Sequence, residues 1–206
     1  MSARRLALLE EVHRAIEACR ACPAVQPSPV HGPAVLSPVM IVGQAPGPRE
    51  ASLGRPFAYT AGRTLFAWLQ GALGPDEATV RSRVYLTAVA RCFPGKAKGG
   101  GDRKPDRDEV ARCGAHLSRE VEVIRPSLVV PVGSLAIEVV TGHRGKLDAV
   151  IGTTKRVVFH GVEADAIALP HPSGVSTWHR TPEGQRLLKQ ALKSIGEHPA
   201  WREAVA

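Results

Sequence analysis

The sequence predicts an α/β fold, a mostly parallel β-sheet with helices on both faces. Three observations lead there. Short apolar runs of strand length alternate with longer segments whose apolar residues recur at helical spacing. The apolar runs end in loops rich in glycine and proline. The 206 residues, 44% of them hydrophobic, suffice for one domain with a full core and hold no run long enough to span a bilayer.

Each element has its own warrant. Leu6, Leu9, Val12 and Ile16 place one apolar face on a helix over 6–18, which delivers the chain to Cys19 and Cys22. Five prolines between Pro23 and Pro38 predict an extended loop. Val39 to Val42 is a buried strand, and Gly43 to Arg55 a glycine- and proline-rich loop. A helix is expected over 61–72 and a strand over 84–89, the latter running into Arg91-Cys92. Gly95 to Pro105 reads as a polar loop and 107–124 as a helix carrying Cys113. A strand over 128–132 precedes a helix over 133–140, and 157–159 and 166–169 are candidate strands. Pro182, at a favoured first-turn position, starts a last helix that reaches about Ile195. In such sheets ligands sit beyond the carboxyl ends of the strands. Three loops leave those ends: 43–55, 87–101 and 170–180.

Charge narrows the partner. Lysine and arginine number 27 against 19 acids, a formal +8, which is the electrostatic footprint of a nucleic-acid binder. Arg91, Lys96, Lys98, Arg103, Lys104 and Arg107 crowd one segment with Gly99, Gly100 and Gly101. Aromatic residues make up only 4%, which argues against stacking of many bases in series. The first fourteen residues are charged and lack a signal-length apolar core, so a cytoplasmic protein is expected.

The four cysteines are Cys19, Cys22, Cys92 and Cys113. A C-x-x-C pair with a distant second pair suits one metal centre, zinc or an iron–sulfur cluster. Two disulfides or four plain buried cysteines are the alternatives, and a reducing compartment disfavours the first. Two loops carry further chemistry. Gly43-Gln44-Ala45-Pro46-Gly47 brings exposed backbone amides near a ligand, and Phe57 in Gly54-Arg55-Pro56-Phe57 offers a flat ring for stacking. His171, locked between Pro170 and Pro172 just past a strand end, is rigidly aimed and can donate to a developing oxyanion.

Together, these loops and thiols resemble the uracil-DNA glycosylase superfamily, particularly its iron–sulfur branch, family 4. The family motif G-E-x-P-G followed by G-R-P-F is met by Gly43–Gly47 and Gly54–Phe57, and H-P-S by His171-Pro172-Ser173. The amino-terminal C-x-x-C and the K/R-C-x-P context are met by Cys19, Cys22 and Arg91-Cys92-Phe93-Pro94, with Cys113 where a fourth ligand is expected. The resemblance implies a three-layer α/β/α sandwich around a mostly parallel four-stranded sheet, one domain over 1–206. It implies a structural [4Fe–4S] cluster on Cys19, Cys22, Cys92 and Cys113, with zinc as the alternative. It also implies a monomeric, monofunctional glycosylase acting on DNA that contains uracil or another deaminated base, with no membrane partner. His171 would stabilise the pyrimidine oxygen and Gln44 would stand in the water-handling position. Gly43, Ala45, Phe57, Tyr59, Thr87, Ala88 and Ser173 are expected around the flipped base. Val175 would enter the emptied stack, and Arg180, Lys96 and Lys98 would hold phosphates.

Three departures from the family pattern matter. Gln44 and Ala45 occupy the positions where relatives place a glutamate or an aspartate, so neither carboxylate is present. Glu50 is expected as an exposed loop acid rather than a replacement. Ala88 stands where relatives carry an asparagine that reads the uracil edge, which should relax base discrimination unless Thr87 or Gln44 substitutes. Tyr59 replaces a common glycine and would either exclude the thymine methyl or pack on Phe57. The missing carboxylates leave one rival function, a uracil- or abasic-DNA binding protein with little turnover; a second is a hydrolase that borrows the scaffold for a non-DNA nucleoside, which the basic loop argues against.

Overall fold

The computed structural model describes residues 2–26, 28–174 and 176–206. Eight α-helices and five strands follow in the order α1 (Ser2–Ala18), β1 (Val39–Gly43), α2 (Glu50–Leu53), α3 (Thr60–Leu73), α4 (Glu77–Arg83), β2 (Tyr85–Ala88), α5 (Arg107–Ile124), β3 (Leu128–Pro131), α6 (Ser134–Thr141), β4 (Thr154–Phe159), β5 (Val162–Ile167), α7 (Pro182–Glu197) and α8 (Pro199–Val205). Several helix starts are written in the sequence. Asp106 and Glu109 form a reciprocal capping box at α5, Asp76 caps α4 through the Thr79 amide, and Thr181 caps α7 ahead of Pro182.

The sheet runs β2-β1-β3-β5-β4, parallel throughout except for the antiparallel β4–β5 pair. Five strands therefore replace the four expected. Among them is the edge strand β4, which contains the candidate strand at 157–159 and whose first five residues are exposed or half-buried. His160 and Gly161, both with positive φ (47° and 79°), make the two-residue turn that folds β4 onto β5.

Side chains alternate across the central strands. Val39, Ile41, Leu128 and Val130 face the layer of α3, α7 and α8 with Leu65, Leu69, Leu188, Ile195 and Trp201. Met40, Val42 and Val129 face α1, α5 and α6 with Leu9, Leu117, Val121 and Val140. Most of these are fully buried, each worth roughly 1.5–3 kcal/mol against exposure. This is the three-layer α/β/α sandwich. No helix among the described residues is long and apolar enough to cross a membrane.

Candidate functional site

One cavity opens at the carboxyl ends of β1 and β2. Its walls are Gly43, Gln44, Ala45 and Pro46 from the loop after β1, then Glu50, Phe57, Ala88, His171 and Pro172. The Gly43–Phe57 segment and His171, 114 or more positions apart in sequence, thus share one chamber.

Phe57 is held there against its own backbone preference. Its φ of +54° lies in the left-handed region, which a bulky residue adopts only when its surroundings impose it. Three contacts do so. Arg81 donates to the carbonyls of Pro56 (2.9 Å) and Phe57 (2.7 Å). Glu50 accepts from the Ala58 amide at 2.7 Å. Gly62 on α3 lets the Phe57 carbonyl approach so closely that a Cβ there would stand 1.7 Å from its oxygen. The ring then lies against Gly43, where a Cβ would fall 2.7 Å from Cζ.

His171 is fixed from two sides. Its ring rests on Gly133, whose φ of +87° and missing side chain are both required, since a Cβ would sit 2.9 Å from the imidazole Cδ2. The Ser173 main-chain N–H donates to Nδ1 at 3.2 Å, and the Ser173 hydroxyl lies 2.8 Å from the same atom. A nitrogen that accepts from an amide carries no proton, so the neutral ring keeps its hydrogen on Nε2. Burial, with Lys104 adding to it and Asp102 opposing, holds the ring's pKa below the usual histidine range. His171 is therefore a neutral donor at neutral pH.

The remaining expected residues divide. Gln44, Ala45 and Ala88 line the cavity. Thr87 points away from it, its hydroxyl donating to Glu120 at 2.9 Å. Ser173 acts through His171. Tyr59 does not line the cavity; its ring is half-exposed between Arg49 and Arg63, with guanidinium carbons 4.8 and 5.8 Å from its centroid. Lys96 is tied to Asp102 at 2.5 Å, whereas Lys98 is exposed. Arg180 is exposed and reaches back over Gly174 of the histidine loop. Val175 lies outside the described residues. The basic segment is partly self-neutralised, since Arg103 pairs with Glu109 at 2.5 Å.

Glu50 corrects an expectation. It is buried (9% exposed), not an exposed loop acid, and it is the one carboxylate lining the cavity among the described residues. Its Oε2 accepts from the Gly47 N–H at 2.7 Å, a bond within the loop that leads into α2. Burial pushes its carboxyl above the usual range, with the Gly47 and Ala58 amides pulling the other way. Gly133 and Arg81 gave no signal in the sequence, because what matters is a contact across the fold.

The four thiols converge on a second cavity, of about 190 Å³, between the end of α1, the loop after β2 and α5. All four are free and partly buried. Burial and then the neighbouring thiols push Cys92 up to about 11, and burial raises Cys113 as well while Arg91 pulls it down. Such a set holds its protons until a cation displaces them, which is the chemistry of a thiolate metal site. Among the described residues, no three ligand-type side chains close on a single-ion position.

Comparison with known proteins agrees with this architecture. The family pattern described as the Uracil DNA glycosylase superfamily matches residues 29–196. A type-4 uracil-DNA glycosylase of Archaeoglobus fulgidus is 30% identical over 196 residues, 92% of each chain. One from Sulfurisphaera tokodaii is 29% identical over 163 residues, covering 77% of this chain and 69% of its own. A type-5 uracil-DNA glycosylase of Pyrobaculum aerophilum is 31% identical over 169 residues, 77% and 72% of the two chains. A match that spans the strands, both motif loops and the helix bearing Cys113 leaves one assignment: the chain belongs to the uracil DNA glycosylase superfamily.

Proposed function

We propose that the protein is a monofunctional uracil-DNA glycosylase that flips uracil, or another deaminated base, from DNA and hydrolyses its glycosidic bond. The observation that carries this reading is the neutral His171, with its proton on Nε2, in the same cavity as Phe57 and the Gly43–Pro46 turn. When the C1′–N1 bond breaks, its electron pair leaves with the pyrimidine and charge builds on O2. The Nε2–H donates to that oxygen, and donors of this kind contribute about 10²–10³-fold. Phe57 stacks on the extruded base. A water adds at C1′, and the proton it loses goes, through solvent, to the departing pyrimidine anion, so that the products are the free base and an abasic sugar. Gln44 and Glu50 are the groups placed to orient that water, Glu50 through the lone pairs its two amide bonds leave open.

Outside the cavity, Lys98 and Arg180 contact phosphates, with Lys96 poised by Asp102. Tyr59, flanked by Arg49 and Arg63, belongs to the same DNA-facing rim rather than to the base pocket. Val175 keeps its sequence-based role in the emptied stack on its place in the histidine loop alone. The protein acts as a cytoplasmic monomer.

Cys19, Cys22, Cys92 and Cys113 hold a [4Fe–4S] cluster in this reading. The resemblance to the family's iron–sulfur branch favours a cluster over zinc, and four sulfurs bordering one cavity are the donor set it would use. The cluster would tie the loop after β2 to α1 and α5, a bracing role.

The absent carboxylates at 44 and 45 support one rival, a protein that binds uracil-containing DNA without turnover. Incubation with a uracil-containing oligonucleotide followed by alkali separates the two. Strand scission is expected; a mobility shift without scission would establish the rival.

A further inference from the structure

Arg91 joins the two cavities. It stands three residues past the end of β2, precedes Cys92, and is 2% exposed. Nη2 donates to Oε2 of Glu120 at 2.5 Å, and Glu120 is 0% exposed. The same carboxylate oxygen accepts from Thr87, the neighbour of cavity-lining Ala88. One end of the guanidinium is thus fixed under the base cavity.

The other end has no protein partner. Nε and Nη1 are buried without a hydrogen bond among the described residues. A buried cation with two such donors is strongly disfavoured unless acceptors meet them. Arg91 also lines the cavity of the four thiols, and its main-chain N–H donates to Cys113 Sγ at 3.2 Å. The other cations there, Arg20 and Arg112, are exposed at the rim. His116, also at the cavity, is held toward its neutral form by burial.

We infer that Arg91 is the counter-cation of the thiolate centre: its Nε–H and Nη1–H donate to the sulfurs, while Glu120 anchors it to the strand beneath the base cavity. The inference rests on reading the four thiols as a [4Fe–4S] site. It makes Arg91 a positioning residue that stabilises the centre's negative charge, since hydrogen bonds to cluster sulfurs and nearby charge set cluster retention and potential.

The test uses the intact chain, purified anaerobically. Arg91→Met alone would strand Glu120 as a buried charge and threaten folding, so Arg91→Met is combined with Glu120→Met, with folding checked by circular dichroism. The measurements are iron and sulfide content, the rate at which a chelator bleaches the visible absorbance, and the midpoint potential. We expect bleaching about 10–100-fold faster than in the parent and a potential shifted to more negative values. Arg91→Lys, which keeps the charge but loses the forked donors, should fall between. A double variant that matches the parent in bleaching rate and potential overturns the role of Arg91 alone. A parent without iron and sulfide overturns the cluster reading and this inference together.

Discussion

The thiol centre and the base cavity meet at the end of β2, where Ala88 lines one and Ala90, Arg91 and Cys92 line the other, yet they are fixed by different means. Side-chain chemistry defines the thiol centre: four sulfurs from three segments border one cavity, where burial and then the neighbouring thiols push the Cys92 thiol up. Backbone geometry defines the base cavity. Phe57 and His171 stand where they do because Gly43, Gly62 and Gly133 have no side chain and because Arg81, Glu50 and Ser173 hold main-chain or ring atoms. A centre of the first kind should fail by unfolding, and one of the second by loss of alignment in a folded protein.

The largest effect that would break this contrast belongs to the thiols. Cys92→Ser should abolish the metal centre and remove on the order of 4 kcal/mol of stability, lowering Tm by about 8–16 °C. Calorimetry with metal analysis checks it, and a variant of unchanged Tm would make the centre dispensable to the fold. Gly133→Ala comes next. The added Cβ must displace the His171 ring, and a shift of about 1 Å at a catalytic group costs about 10²-fold. Uracil release under single turnover should fall by that order with the DNA affinity retained. A stability loss without a fall in the chemical step would move Gly133 from the second kind of site to the first.

A pH effect sharpens the comparison from the thiol side. His13, on α1, shares a 2.9 Å hydrogen bond with Tyr85 in the layer beneath the Arg91–Glu120 pair. Burial first, then His31 and Arg91, hold its pKa down at about 4 against 6.5. The folded state therefore binds fewer protons than the unfolded one in that window. Stability should be full above about pH 6.5 and decline as pH falls toward 4. His13→Gln should flatten that decline between pH 6.5 and 5, read by denaturant titration, and parallel curves would assign it to other groups. Smallest of all, Tyr59→Ala should change the preference for uracil over thymine less than about threefold, because its ring lies outside the cavity and a rim contact is worth under 1 kcal/mol. A marked gain of thymine release would return Tyr59 to the base.

What was legible in the sequence follows the same division. The strand runs at 39–42 and 128–132 and the helix over 107–124 were read correctly, because periodicity is a local property, and the four cysteines that the sequence grouped do border one cavity. Edge strand β4 was not read whole, since its first three residues, Thr154 to Arg156, are exposed and carry no apolar run. Glu50 was taken for a surface acid because nothing in its neighbours reveals that two amides close over it. Thr87 and Ala88, adjacent in sequence, were both expected at the base; pleating turns only Ala88 to the cavity and Thr87 to Glu120. Tyr59 was expected, from its place in the family motif, to exclude the thymine methyl or pack on Phe57, but its ring lies between Arg49 and Arg63 outside the cavity.

The central claim is that an imidazole proton on Nε2 meets the departing base. Single-turnover release of uracil from a uracil-containing duplex by the parent and by His171→Ala, at matched folding and DNA affinity, tests it most directly. A fall of about 10²–10³-fold in the variant is expected; equal rates would remove His171 from the chemistry and contradict the account.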